Sequence, residues 1–123
     1  MNTKETREIK FRGRRVHFNA SNEWVYGYLI KSHEKSWVTD NFYGIHYEVI
    51  PESVGEYTGL KDKNGKEVFE GDIVKTDSGA HMKVSYREDM ARFVLRFKEG
   101  ASSDLTNDLE VIGNIYENEY LLK

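Results

Sequence analysis

Along most of the chain, apolar and polar residues alternate with a period of two. In residues 23–30, EWVYGYLI, the side chains of Trp24, Tyr26, Tyr28 and Ile30 fall on one side, and Val25, Gly27 and Leu29 on the other. In NFYGIHYEVI, Tyr43, Ile45, Tyr47 and Val49 share a side; in HMKVSY, Met82, Val84 and Tyr86 do. In RFVLRFK, Phe93, Leu95 and Phe97 alternate with Arg92, Val94, Arg96 and Lys98, whose side is expected to face water. Each run predicts a half-buried β-strand. Successive side chains of a strand point to opposite faces, and aromatic and β-branched residues suit that surface.

Turn signals separate the runs. Thr39-Asp40-Asn41 predicts a reversal, Asp77-Ser78-Gly79 closes a hairpin between Ile73-Val74 and Met82-Val84, and Arg87-Glu88-Asp89 leads into the Phe93 strand. Asn64-Gly65 is the strongest signal and predicts a hairpin tip in a type I′ turn, with positive φ at both central positions. Pro51 ends the strand before it and predicts one helical turn. The tail ENEYLLK predicts a last helical turn that hides Leu121 and Leu122, and residues 99–108 read as the longest polar loop. Short, regularly spaced strands predict an all-β fold, a small barrel or sandwich preceded by a small N-terminal β lobe. The boundary is set near residue 55, giving lobes 1–55 and 56–123.

Composition narrows the class. The chain has 123 residues, 38% hydrophobic and 32% charged, which is the make-up of a globular domain. It contains no cysteine, so disulfides and thiolate metal sites are excluded. The opening MNTKETREIK has no apolar core of a secretory signal, and no apolar run reaches the ~20 residues needed to span a bilayer. A cytoplasmic setting is therefore expected, with no membrane partner. Asn19-Ala20-Ser21 matches a glycosylation acceptor by spacing, and is read as chance without a secretory signal. The net charge of −3 argues mildly against nucleic acid, whose binders carry a basic face.

Candidate chemistry is sparse. Gly59, Gly65 and Lys66 miss the spacing of a phosphate-binding loop, and strand-like residues follow where a helix is needed. A hairpin explains them better. His17, His33, His46 and His81 show no metal-ligand spacing, and no nucleophile motif is present. No catalytic residues, metal ligands or cofactor are therefore expected. Glu70 and Asp72 flank Gly71, where an Asp commonly accepts backbone N–H groups. A basic stripe, Lys10, Arg12 and Arg14, shares one strand face; with Trp24, Tyr26 and Tyr28 it is the candidate contact surface for an anion or a nucleic acid. A solvated strand face is the plainer reading and the preferred one.

YTGLKDKNGKEVFEGDIV (residues 57–74) and EVIGNIYENEYLL (residues 110–122) together resemble the YopX family of phage and prophage proteins. REIKFRGRRV, EWVYGYLI and VIPESVGEYTGL also look like that family, so the resemblance runs from about Arg7 to Leu122. The section from Asp77 to Asp104 looks like the family's variable part. The resemblance implies a mostly β protein with an SH3-like barrel, encoded by phages or prophages and located in the bacterial cytoplasm. It implies no activity. Its matching positions, among them Tyr57, Gly59, Asn64, Gly65, Gly71, Asp72, Gly113 and Asn114, carry over as a structural signature only. The expected function is a non-enzymatic accessory or interaction module. A protein partner or a second copy of the chain, pairing through a free strand edge such as that of the Phe93 strand, is expected ahead of nucleic acid.

Overall fold

The alternating runs pair as antiparallel strands in a computed structural model, which describes residues 8–17, 23–98 and 100–122. The first four are β1 (Phe11–Arg14), β2 (Trp24–Ser32), β3 (Lys35–Asp40) and β4 (His46–Val49). A 3-10 turn at Pro51–Ser53 follows, as the proline predicts. Then come β5 (Gly55–Lys61), β6 (Glu67–Phe69), β7 (Asp72–Thr76), β8 (His81–Arg87), β9 (Arg92–Arg96), β10 (Ser102–Asp104) and β11 (Leu109–Asn114). A second 3-10 turn, Glu119–Leu122, half-buries Leu121 and Leu122. One sheet has the order β4-β3-β2-β1-β5-β6 and the other β10-β9-β8-β7-β11. The fold is all-β.

Neither sheet closes into a barrel, which corrects the barrel expectation. The first sheet coils until β4 meets the end of β1 at a single bridge, Arg15 to Val49, flanked by Ile50 N–H to the Arg14 carbonyl at 2.8 Å. Four-residue β4 is too short to extend that contact, and Pro51 then ends it. Val38 and Val49 fill the inside of the coil, fully buried. Gly27 is needed there because a Cβ would collide with the Thr39 carbonyl.

The second sheet holds the larger core. Val74, Met82, Val84 and Leu95 pack on Val68 and Leu109 from neighbouring strands. Its opposite side is covered as well. Ile73 and Val94 are buried there, and the C-terminal turn lies across β8, with His81 Nδ1 2.8 Å from the Leu121 carbonyl. The Arg92–Arg96 strand therefore does not keep a purely wet face. Its Val94 is buried on the side that carries Arg96, opposite Ser85 of β8.

Several local expectations are revised. At the β5–β6 tip, Gly65 has φ +84°, while Asn64 does not lie in the positive region. Gly65 N–H reaches the Asp62 carbonyl at 3.0 Å and Asp62 N–H the Lys66 carbonyl at 2.7 Å. That is a type I turn closed by a glycine bulge rather than a type I′ turn. The Asp62 carboxylate accepts the N–H groups of Asn64 and Lys66, which selects this geometry. A two-residue tip with both φ values positive occurs instead at His33 (53°) and Glu34 (64°), between the paired Ser32 and Lys35. Tyr43 lies in the β3–β4 loop, outside β4. The 99–108 region contains β10, so β9 is flanked on both sides and offers no free edge.

Candidate functional site

Cross-strand register decides which side chains share a face. Arg12 pairs with Tyr26 and Arg14 with Trp24, so the basic stripe and the first aromatics of β2 lie on the outer side of the first sheet. Farther along, Tyr28 pairs with Thr39 and Ile30 with Trp37. Thr39 pairs with His46 and Trp37 with Glu48. The structure thus brings all six candidate contact residues to one face and extends that face by two strands, β3 and β4.

The two ends of the face differ. At the β1 end every cation of the stripe has a carboxylate partner. Lys10 Nζ lies 2.7 Å from Glu67 Oε2, Arg12 Nη2 2.8 Å from Asp72 Oδ1, and Arg14 Nη2 3.0 Å from Glu23 Oε2. Arg12 is buried. Its guanidinium stacks between Trp24 (5.2 Å) and Phe69 (5.0 Å), an arrangement that suits a planar, weakly hydrated cation. Its Nε lacks a hydrogen-bond partner. Burial pushes the Asp72 carboxyl upward, opposed by Arg12 and by the Phe69 N–H, which donates to Asp72 Oδ2 at 2.8 Å. The pair joins β1 of one sheet to β7 of the other, so Arg12 acts as a clamp between sheets. Trp24 is held by Arg12 on its face and by Tyr116 edge-on, at 6.2 Å.

At the other end the side chains are open. Tyr26 is 46% exposed and Tyr28 54%, and Ile30 is 42% exposed. Ile30 and Trp37 line a groove of about 430 Å³ with Ser32, His33, Lys35 and His46. Phe42 and Tyr43, in the β3–β4 loop, are the most exposed aromatics of the described chain, with rings 4.9 Å apart. Asp40 Oδ1 shapes that loop by accepting the N–H groups of both, each at 2.7 Å. Sequence reading overlooked Trp37, Lys35 and His46. The alternation of KSWVTD carries the signal for Trp37, but the groove exists only once β2, β3 and β4 are in register.

The signature positions have structural work. Tyr57 is buried against Phe69, with Lys10 Nζ 5.3 Å from its ring centre. Gly59 sits where the β5–β6 register shifts. Asn64 and Gly65 form the tip, and Asp62 between them and the core is the organising group. It accepts Val111 N–H at 2.9 Å in addition to the two tip amides, tying the hairpin to β11. Burial alone would push the Asp62 carboxyl up, but the three amides hold it below the usual carboxylate range. Gly71 links the sheets: its N–H donates to Val84 and its carbonyl accepts from Ile115. At Gly113 a Cβ would press on Asn118, whose Oδ1 accepts the Asn114 N–H at 3.1 Å. Asn114 in turn accepts the Glu117 N–H at 2.9 Å.

A second concavity, about 220 Å³, opens where the sheets meet and is lined by residues including Arg12, Trp24, Glu70, Lys83, Asn114 and Tyr116. Each stretch on which the family resemblance rests contributes to it. Among the described residues no three His, Asp or Glu side chains cluster as metal ligands would.

Comparison with known proteins adds three findings. The model of a family described as YopX protein matches residues 10–123. The fold is similar to the crystal structure of protein EF1440 from Enterococcus faecalis, with 25% identity and a TM-score of 0.54 over 96% of this chain and 100% of that one. No curated protein matches.

Proposed function

The chain belongs to the YopX family, and from that premise we propose that it is a phage- or prophage-encoded accessory protein, a non-enzymatic module that binds a protein partner. Its contact surface is the open end of the outer face: Tyr28, Ile30 and Trp37 with the Phe42-Tyr43 loop. One observation carries this reading. Four of the exposed aromatic side chains, Tyr26, Tyr28, Phe42 and Tyr43, lie on the outer face of the first sheet or in its β3–β4 loop, whereas monomeric proteins usually expose only small apolar patches. Tyr and Trp are also the residues that dominate protein–protein contacts. In the same reading, residues 1–55 are an N-terminal β lobe that presents the surface, residues 56–123 an SH3-like lobe that supports it, and the setting is the bacterial cytoplasm.

Nucleic acid is the weaker occupant. Phosphate binding needs available cations, and Lys10, Arg12 and Arg14 are each held by a carboxylate. The paired variants Tyr28→Glu and Trp37→Ala test the proposal. A host protein captured by the wild-type chain is lost by both variants, and Tyr28→Glu, at the exposed position, keeps its thermal unfolding unchanged. A partner held equally by the variants removes this surface from the reading. So does binding of mixed-sequence DNA or RNA with a steep salt dependence, which transfers the function to the basic stripe. Light scattering of the purified chain separates a foreign partner from a second copy.

A further inference from the structure

The crevice between the sheets contains charges that the fold leaves unused. Arg12 is neutralised by Asp72 and sequestered between two rings. Lys83 and Glu70 line the same crevice. Neither forms an ion pair with a described residue, so they stand more than the 4.0 Å of a salt bridge apart. Glu70 is half-buried, and its carboxylate receives only the Glu56 N–H. Charges withdrawn from water are normally matched by an opposite charge. Two opposite charges, neither in an ion pair and both on residues of intermediate exposure that line one small cavity, are an arrangement that a ligand completes.

We propose that this crevice binds a small zwitterion of amino-acid size, with its ammonium group at Glu70 and its carboxylate at Lys83. The apolar walls of Val54 and Ile115 take the body of the molecule. Size supports the class: about 220 Å³ is below the roughly 300–1,000 Å³ of pockets for drug-sized ligands. Charge supports it too. A phosphate-like anion meets Glu52 and Glu70, a simple cation meets Lys83, and only a molecule with both charges satisfies the lining. Burial, reinforced by the neighbouring Glu56 carboxylate, holds the Glu70 carboxyl above its usual range against the pull of the Glu56 N–H. An ionised Glu70 therefore costs the empty protein stability, as groups kept for binding commonly do.

Calorimetry and thermal unfolding with the free amino acids test the site, with ethylamine and acetate as half-ligands. At least one amino acid binds and raises Tm, and both half-ligands bind at least ~10-fold more weakly, as expected for two charge-assisted contacts. Glu70→Gln and Lys83→Met each weaken binding by a similar factor, while Glu70→Gln unfolds at the same or a higher temperature than wild type. In the wild-type chain, amide NMR shifts on titration are confined to residues 52–54, Glu70, Gly71, residues 83–85 and residues 114–116. The proposal is overturned if no amino acid binds at several times ~1 mM, the weak end of specific affinities. It is equally overturned if half-ligands or variants bind as well as the complete pair, or if the shifts fall elsewhere. This outcome is independent of the outer-face variants.

Discussion

The two sheets use apolar residues in opposite ways. The five-stranded sheet buries valine, leucine and isoleucine on both sides, with Val74, Val84 and Leu95 in its main core and Ile73 and Val94 on the opposite face. The six-stranded sheet buries a narrow interior, Val38 and Val49, and leaves Tyr26, Tyr28 and Ile30 open on its outer side. Both kinds of strand have the same alternation. What differs is whether another element lies on top. The second sheet is thus a scaffold and the first a display surface, and the Arg12–Asp72 clamp holds one to the other.

Breaking the clamp has the largest expected effect. Asp72→Ala leaves Arg12 buried without its counter-charge and costs ~3–5 kcal/mol in urea unfolding. The double variant Arg12→Met/Asp72→Leu recovers much of that loss, because both buried charges are gone. If Asp72→Ala alone were nearly neutral, the clamp would have no part in joining the sheets. Next come the apolar residues of the scaffold. Leu95→Ala costs ~2–5 kcal/mol, whereas Tyr28→Ser on the display face changes stability by less than ~0.5 kcal/mol. Equal losses at the two positions would erase the contrast drawn above.

Asp62 gives a smaller, pH-dependent effect. Its folded-state pKa is lowered, so its stabilisation is present above the unfolded value of ~3.9 and is lost as pH falls through the folded value. Asp62→Asn removes that part of the acid slope and costs ~1–3 kcal/mol at pH 7 through unsatisfied amides. Urea midpoints of the two proteins between pH 7 and pH 2 converge at the acid end. The smallest effect is a gain. His33 and Glu34 occupy left-handed backbone, which Asn and Gly adopt with less strain. The double replacement His33→Asn/Glu34→Gly raises stability by ~1 kcal/mol, read as a higher thermal midpoint. A loss there would mean that the two side chains make contacts worth more than the relieved strain.

Much of this was legible locally. Most of the strands, the Pro51 turn, the terminal turn over Leu121 and Leu122, and the Asp77-Ser78-Gly79 hairpin follow from residues within about ten positions of one another, whereas β10 lies in what reads as a polar loop. The His33-Glu34 tip was not legible, since neither residue is a typical turn former and the surrounding strand pairing imposes the positive φ. The β5–β6 tip was half legible. Asn64-Gly65 marks the place, but the Asp62 carboxylate chooses the turn, because it also has to reach Val111.

The site follows the same division. Alternation by itself put Lys10, Arg12 and Arg14 on one face and Trp24, Tyr26 and Tyr28 on another strand's face. It also determined the fold class, and residues 57–74 with 110–122 determined the family. Only the tertiary structure decided that Glu67, Asp72 and Glu23 neutralise the stripe and that Tyr28 and Ile30 stay open beside a half-buried Trp37. It also decided that Glu70 and Lys83 line one crevice without an ion pair to a described residue. The reason is physical. A period of two is a property of neighbouring residues, whereas the partner of a charge and the cover on a face come from strands up to sixty residues away.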